Sequence, residues 1–246
     1  LKPVLERDDT VQLSTFLQSA DLDFAAEDRT ALRSFPATSA QLQLYDVILW
    51  GDVDLRELDR GAAERLREFV RTHGGGLLLI AGEEHNPLQY AGTPLETLLP
   101  VSLLDAEARA SPTRFRLQRT LDGRACPWLR LSESPADDES LWTSLPSEMD
   151  WLIHTPQIKP GASILVTAAG VANDPPVIVQ QKYGQGLILY HGVDALWTWR
   201  KRVEARHYGR YWSQAVRALA AGLRIFAQEL TRIANDLRIL CSGPLT

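Results

Sequence analysis

Residues 74–87 read GGGLLLIAGEEHNP. The apolar run is short and is bounded by glycines on one side and by Gly, acidic residues and Asn-Pro on the other. That is the pattern of a strand buried on both faces of a parallel sheet. The residues after it, Ala81, Gly82, Glu83, Glu84 and His85, form a sharp turn at the strand's carboxyl end. In many α/β enzymes such a turn presents the nucleophile, but this one contains neither Cys nor Ser. The triple glycine precedes the strand, so it reads as a helix C-cap and turn and not as a phosphate cradle.

Upstream, YDVILWGDVD (45–54) has the same character: a continuous apolar run ended by Gly and aspartates. The residues between the two runs place Leu66, Phe69 and Val70 on one stripe, with charges opposite. They predict a helix of about 13–15 residues. Strand, helix and strand make one parallel βαβ unit of about 35 residues. VQLSTFL (11–17) is read as a further strand. TPLETLLPV (93–101) is read as a short helix with Thr93 as N-cap and Pro94 in its first position.

From 101 to about 160 the texture becomes β-rich, as an insertion or an antiparallel extension of the sheet. Trp128, Trp142 and Trp151 are expected to form a small satellite core there. SILVTAAG (163–170), PPVIVQQKYGQG (175–186) and GLILYHGVD (186–194) are strands, and YGQG marks a hairpin. Residues 207–226 predict a strong helix. Beyond it, Phe226, Leu230, Ile233, Leu237 and Leu240 recur at spacings of four and three. Residues 226–246 are therefore read as an amphipathic helix or linker, with a homodimer through 226–240 as the sharper reading.

The composition is globular, 45% hydrophobic and 23% charged, and the net charge of −5 gives no reason to expect nucleic acid or an anionic membrane as partner. The two cysteines, Cys126 and Cys241, form no CxxC and no metal spacing, and a disulfide between them stays open. No apolar run is long enough for a transmembrane helix and no signal peptide is present. The opening LKPVLERDDT lacks Met and reads like the tail of a helix already under way. The expectation is a domain of a longer protein, soluble as given, whose upstream part supplies another strand or membrane segments.

YDVILWGDVD, GGGLLLIAG, AGTPLETLLPV and YGQGLILYHGVDALWTWR with YGRYWSQAVRAL resemble the class I glutamine amidotransferase-like domains of bacterial proteins that carry membrane segments and von Willebrand factor A-type domains. The resemblance spans roughly residues 8–225. It implies a flavodoxin-like parallel sheet with flanking helices, a domain over 1–225, and a cytoplasmic-side or membrane-associated location. It also implies a glutaminase in which a Cys at the strand-to-helix elbow is served by a downstream His and Glu. By order, VILWGDVD falls at the oxyanion loop, LLLIAGEEH at the elbow, and LYHGVD at the His and its acidic partner. The elbow has no thiol, and no carboxylate replaces a thiolate in that reaction. His191 and Asp194 miss the family spacing by one. The expectation is thus a non-catalytic binding module whose partners are other domains of its parent or another protein. No cofactor or metal is expected, and membrane contact comes only through the missing segments.

Open α/β sheets bind ligands at the strands' carboxyl ends. There the sequence offers Asp52, Asp54, Glu83, Glu84, His85, His191 and Asp194. Glu84, His85, His191 and Asp194 are the candidates for acid–base or metal-assisted hydrolysis. Against this, acidic residues at such positions often cap the following helix. Trp197, Trp199 and Arg200 form an aromatic and cationic group that suits either a binding surface or the edge of a core, with an Asp194–Arg200 ion pair expected in the latter case.

Overall fold

The computed structural model describes residues 1–18, 28–146, 149–202 and 206–222. Its helices are α1 (Lys2–Leu5), α2 (Ser39–Leu42), α3 (Ala62–Arg71), α4 (Leu121–Ala125), α5 (Pro135–Ser144), α6 (Trp199–Arg202) and α7 (206–222). The strands are β1 (Val47–Trp50), β2 (Gly76–Ile80), β3 (Glu107–Arg119), β4 (Met149–His154), β5 (Ala162–Ala169), β6 (Pro176–Tyr183) and β7 (Gly186–His191).

They form one seven-stranded sheet in the order β1-β2-β7-β6-β5-β3-β4. The βαβ unit is as expected: β1 and β2 are parallel, with Leu49 opposite Leu78, and β2 is parallel to β7. The other neighbouring pairs are antiparallel. The sheet is therefore mixed α/β, which corrects the expectation of a parallel flavodoxin-like sheet. β6 and β7 are joined by the Tyr183–Gly186 hairpin, where Gly184 takes φ +58 and Arg71 O lies 2.4 Å from where its Cβ would stand.

β2 carries apolar residues throughout because it feeds two cores. Leu77 and Leu79 face one with Leu66, Phe69 and Val70 of α3, together with Trp50, Tyr90 and Tyr190. Leu78 faces the other, with Leu189 and with Tyr211, Trp212, Ala215 and Leu219 of α7. Close packing of α7 relies on Gly76, whose absent Cβ would fall 2.7 Å from Leu219 Cβ.

Several local expectations change. Residues 11–17 form no strand and contribute a single bridge, Thr15 to Ala31. α3 has ten residues, because Leu55–Glu57 is a separate 3₁₀ turn capped by Asp54. Pro94–Leu98 is also 3₁₀, and the Thr93 hydroxyl donates to Tyr90 O instead of capping it. Trp128 and Trp142 belong to the α7-side core and Trp151 packs on the other face, so the three form no satellite core. The 226–246 segment and Cys241 lie outside the described residues.

Candidate functional site

The turn after β2 is built around Asp52, which follows β1. Its carboxylate accepts three backbone N–H groups: Glu84 at 2.9 Å, His85 at 2.7 Å and Asn86 at 2.7 Å. Gly82 makes room for it. Asn86, fully buried, donates from its side-chain amide to Gly51 O (3.1 Å) and Ile80 O (2.7 Å), tying the ends of β1 and β2 together. Gly82 N–H donates to Asn86 O at 2.9 Å, and the Asn86–Pro87 peptide is cis. Tyr90 OH accepts from Trp50 Nε1 (3.0 Å) and donates to Val53 O (2.8 Å), and burial pushes its phenol upward. The turn is thus fastened to the β1 end at three points.

Asp54 serves its own segment. It accepts Arg56 N–H and pairs with the Arg56 guanidinium, which holds its carboxyl at about 2, while the Gln18 amide bonds both its N–H and its carbonyl. Glu83 is exposed, and the Glu84 side chain is 79% exposed with an oxygen 3.6 Å from His85 Nε2. His85 Nδ1 is buried without a hydrogen-bond partner. Asp194 is exposed as a residue, and its carboxyl is pushed up by partial desolvation, with the Asp52 charge a smaller cause.

His191 does not join them. Strand alternation turns its ring toward α7, where it is fully buried. Its Nε2 is 2.9 Å from Tyr211 OH, and the ring tilts against Trp212 at 5.3 Å between centroids. Burial lowers its pKa to about 3, so the imidazole is neutral. A histidine held there cannot shuttle protons with groups at the turn, which corrects its candidacy.

Trp197 and Trp199 also separate. Trp199 is fully buried, edge-on to Trp142 (5.8 Å) and Tyr211 (5.3 Å), whereas Trp197 is 48% exposed. Arg200 is exposed and lies over the Tyr208 ring, 6.0 Å from its centroid, and forms no ion pair with Asp194. Among the described residues no group of three His, Cys, Asp or Glu is placed to hold a metal ion, and no helix is long and apolar enough to cross a membrane.

Sequence reasoning does not single out the site's organisers, Asn86 and Tyr90. The Asn-Pro dipeptide is a turn signal that marks the first of them. Nothing local marks the second.

No protein-family model matches this chain, and no curated protein does. Solved structures that share its fold include two from Salmonella typhimurium. Cytoplasmic Protein STM3548 from Salmonella typhimurium superposes with a TM-score of 0.56 at 18% identity, over 76% of each chain. Cytoplasmic Protein STM1381 from Salmonella typhimurium LT2 gives 0.53 at 21% identity, over 75% of this chain and 76% of that one. Likeness at these identities extends to the fold alone.

Proposed function

We propose that this chain is an amidotransferase-like α/β module that has lost its nucleophile and acts by binding. Its partners are other domains of a larger bacterial parent protein, or a separate protein. The observation that carries this reading is the self-satisfied turn after β2. The three amide N–H groups of residues 84–86, which could have stabilised a developing anion, are taken by the Asp52 carboxylate. The remaining histidine of the expected constellation, His191, is sealed in the core against Tyr211. Trp197, exposed beside this end of the sheet, offers an aromatic anchor for a partner.

A hydrolase using Glu84, His85 and Asp194 is the second reading. It is favoured by His85, whose Nδ1 is buried without a hydrogen-bond partner while Nε2 lies 3.6 Å from Glu84, together with the raised Asp194 carboxyl.

One panel separates them: glutamine, p-nitrophenyl esters, phosphates and glycosides, each with and without Mg²⁺ or Zn²⁺. The binding reading expects no turnover above that of a Glu84→Gln/Asp194→Asn variant. Turnover abolished by that variant would establish the hydrolase. For the binding role, hydroxyl-radical footprinting of the intact parent is expected to show less oxidation at Trp197 than in the isolated domain. Equal oxidation counts against a contact there.

A further inference from the structure

We propose that Tyr211 and His191 form a redox-active pair, in which Tyr211 loses an electron to a one-electron oxidant while its phenolic proton passes to His191 Nε2. Tyr211 OH stands 2.9 Å from that nitrogen, within reach of a direct proton transfer. Both residues are fully buried, one on α7 and the other at the end of β7, so bulk water does not compete for the contact.

The direction of the hydrogen bond follows from acidity. A phenol is the better donor and a neutral imidazole nitrogen the better base, so Tyr211 donates and the ring proton of His191 is assigned to Nδ1. Burial keeps both groups neutral: it raises the Tyr211 phenol and lowers the His191 imidazole. Ordinary acid–base chemistry therefore leaves the pair idle. Oxidation changes this, because a phenol that has lost an electron is a strong acid. The electron goes to the oxidant, the O–H bond breaks, and the proton forms an N–H bond at Nε2. The products are a neutral tyrosyl radical and an imidazolium, and a returning electron reverses both transfers. The Trp212 ring, 5.3 Å from that of His191 between centroids, lies beside the new cation.

Neighbouring core rings lack such a base. Trp142 Nε1 donates to Leu129 O and Trp128 Nε1 to Gln180 Oε1, carbonyl oxygens too weakly basic to take a proton. Arg119 lies 4.9 Å from the Trp142 ring centroid and further opposes positive charge there. A route outward is nonetheless present. Trp212 stands 5.2 Å from Tyr211 and 6.1 Å from Tyr208 between centroids, and the exposed Arg200 covers Tyr208. Rings this close let an electron step between π systems. The pair belongs to the α7-side core, so its chemistry does not depend on whether the turn after β2 is silent.

The test is flash oxidation of the folded chain by photogenerated ruthenium(III) tris-bipyridine, an outer-sphere one-electron oxidant. Transient absorption and electron paramagnetic resonance identify the radical. A tyrosyl radical is expected, forming more slowly in deuterium oxide than in water after equilibration in each. Tyr211→Phe keeps the ring and should lose that signal, leaving a tryptophan radical. His191→Phe should slow tyrosyl formation by about a hundredfold or more. Near-ultraviolet circular dichroism verifies the packing of both variants. The assignment is overturned if the parent chain forms only a tryptophan radical, or if Tyr211→Phe retains the tyrosyl signal. Formation at the parent rate in His191→Phe overturns it too, as do equal rates in the two solvents, a comparison that needs no variant.

Discussion

The Asp52 carboxylate occupies the space that a side chain on Gly82 would need: an ideal Cβ there would lie 2.1 Å from Asp52 Cγ. Aspartate and glycine therefore act as one unit. Asp52→Ala leaves three turn amides without their acceptor and should destabilise by about 1–2 kcal/mol, the scale of losing a helix-cap acceptor. Gly82→Ala should have a similar effect by displacing the carboxylate. The double variant should lose clearly less than the sum, because the added methyl group no longer meets a carboxylate. Urea denaturation of all four forms reads the coupling, and strict additivity would refute it.

His191 makes the fold sensitive to acid. Its folded pKa is near 3, whereas an unfolded imidazole takes up its proton near 6.5. Between these values the unfolded state binds more protons, so stability falls as pH drops from about 6.5 toward 3, by at most about 1.4 kcal/mol per pH unit. A His191→Phe/Tyr211→Phe variant removes both polar ends of the buried contact and should show a shallower loss. Urea midpoints measured from pH 7 to 4 compare the two slopes. Parallel curves would mean that His191 titrates normally in the folded chain.

Arg119 and Asp138 form a buried ion pair on the α7-side core, with side chains 4% and 7% exposed. Arg119 also covers the Trp142 ring, and Asp138 accepts the N–H groups of Leu131 and Ser132. Asp138→Ala leaves the buried guanidinium with Glu139 alone (2.9 Å) and two backbone amides without their acceptor, and should destabilise by about 2–4 kcal/mol. Arg119→Met/Asp138→Leu should recover part of that, but not all, since the two amides remain without acceptor. Thermal unfolding of the single and double variants distinguishes these outcomes.

The two tryptophans of the DALWTWR stretch should differ sharply. Trp199→Ala opens a cavity against Trp142 and Tyr211 and should lose about 3–5 kcal/mol. Trp197→Ala, at an exposed position, should change stability by less than about 1 kcal/mol. Chemical denaturation of the two variants checks this. A loss at Trp197 comparable to that at Trp199 would make it a core residue and remove it as a partner contact.

Much of the framework was legible. The apolar runs at 47–50 and 76–80, the stripe of Leu66, Phe69 and Val70, and the Tyr-Gly-Gln-Gly hairpin all appear as read. Each is set by local periodicity or by a glycine that the turn requires. Residues 11–17 misled because alternation records only that one face is wetter than the other. A strand also needs a partner, and there the chain meets a single bridging residue. Asp54 and Arg56 illustrate the same limit at the site, since a carboxylate at a strand end is a ligand or a cap according to what lies two residues on.

By itself the sequence determined the βαβ unit, the double-sided burial of its strands, and a turn at 81–85 without a thiol or hydroxyl nucleophile. Tertiary structure alone decided that β3 to β6 run antiparallel within the same sheet, that Asp52 fills the amides of residues 84–86, and that His191 points inward to Tyr211. The reason is physical. Hydrophobic period and turn chemistry act over a few residues, whereas strand direction, the face a side chain takes and the partner of a carboxylate are fixed by pairing between segments tens of residues apart.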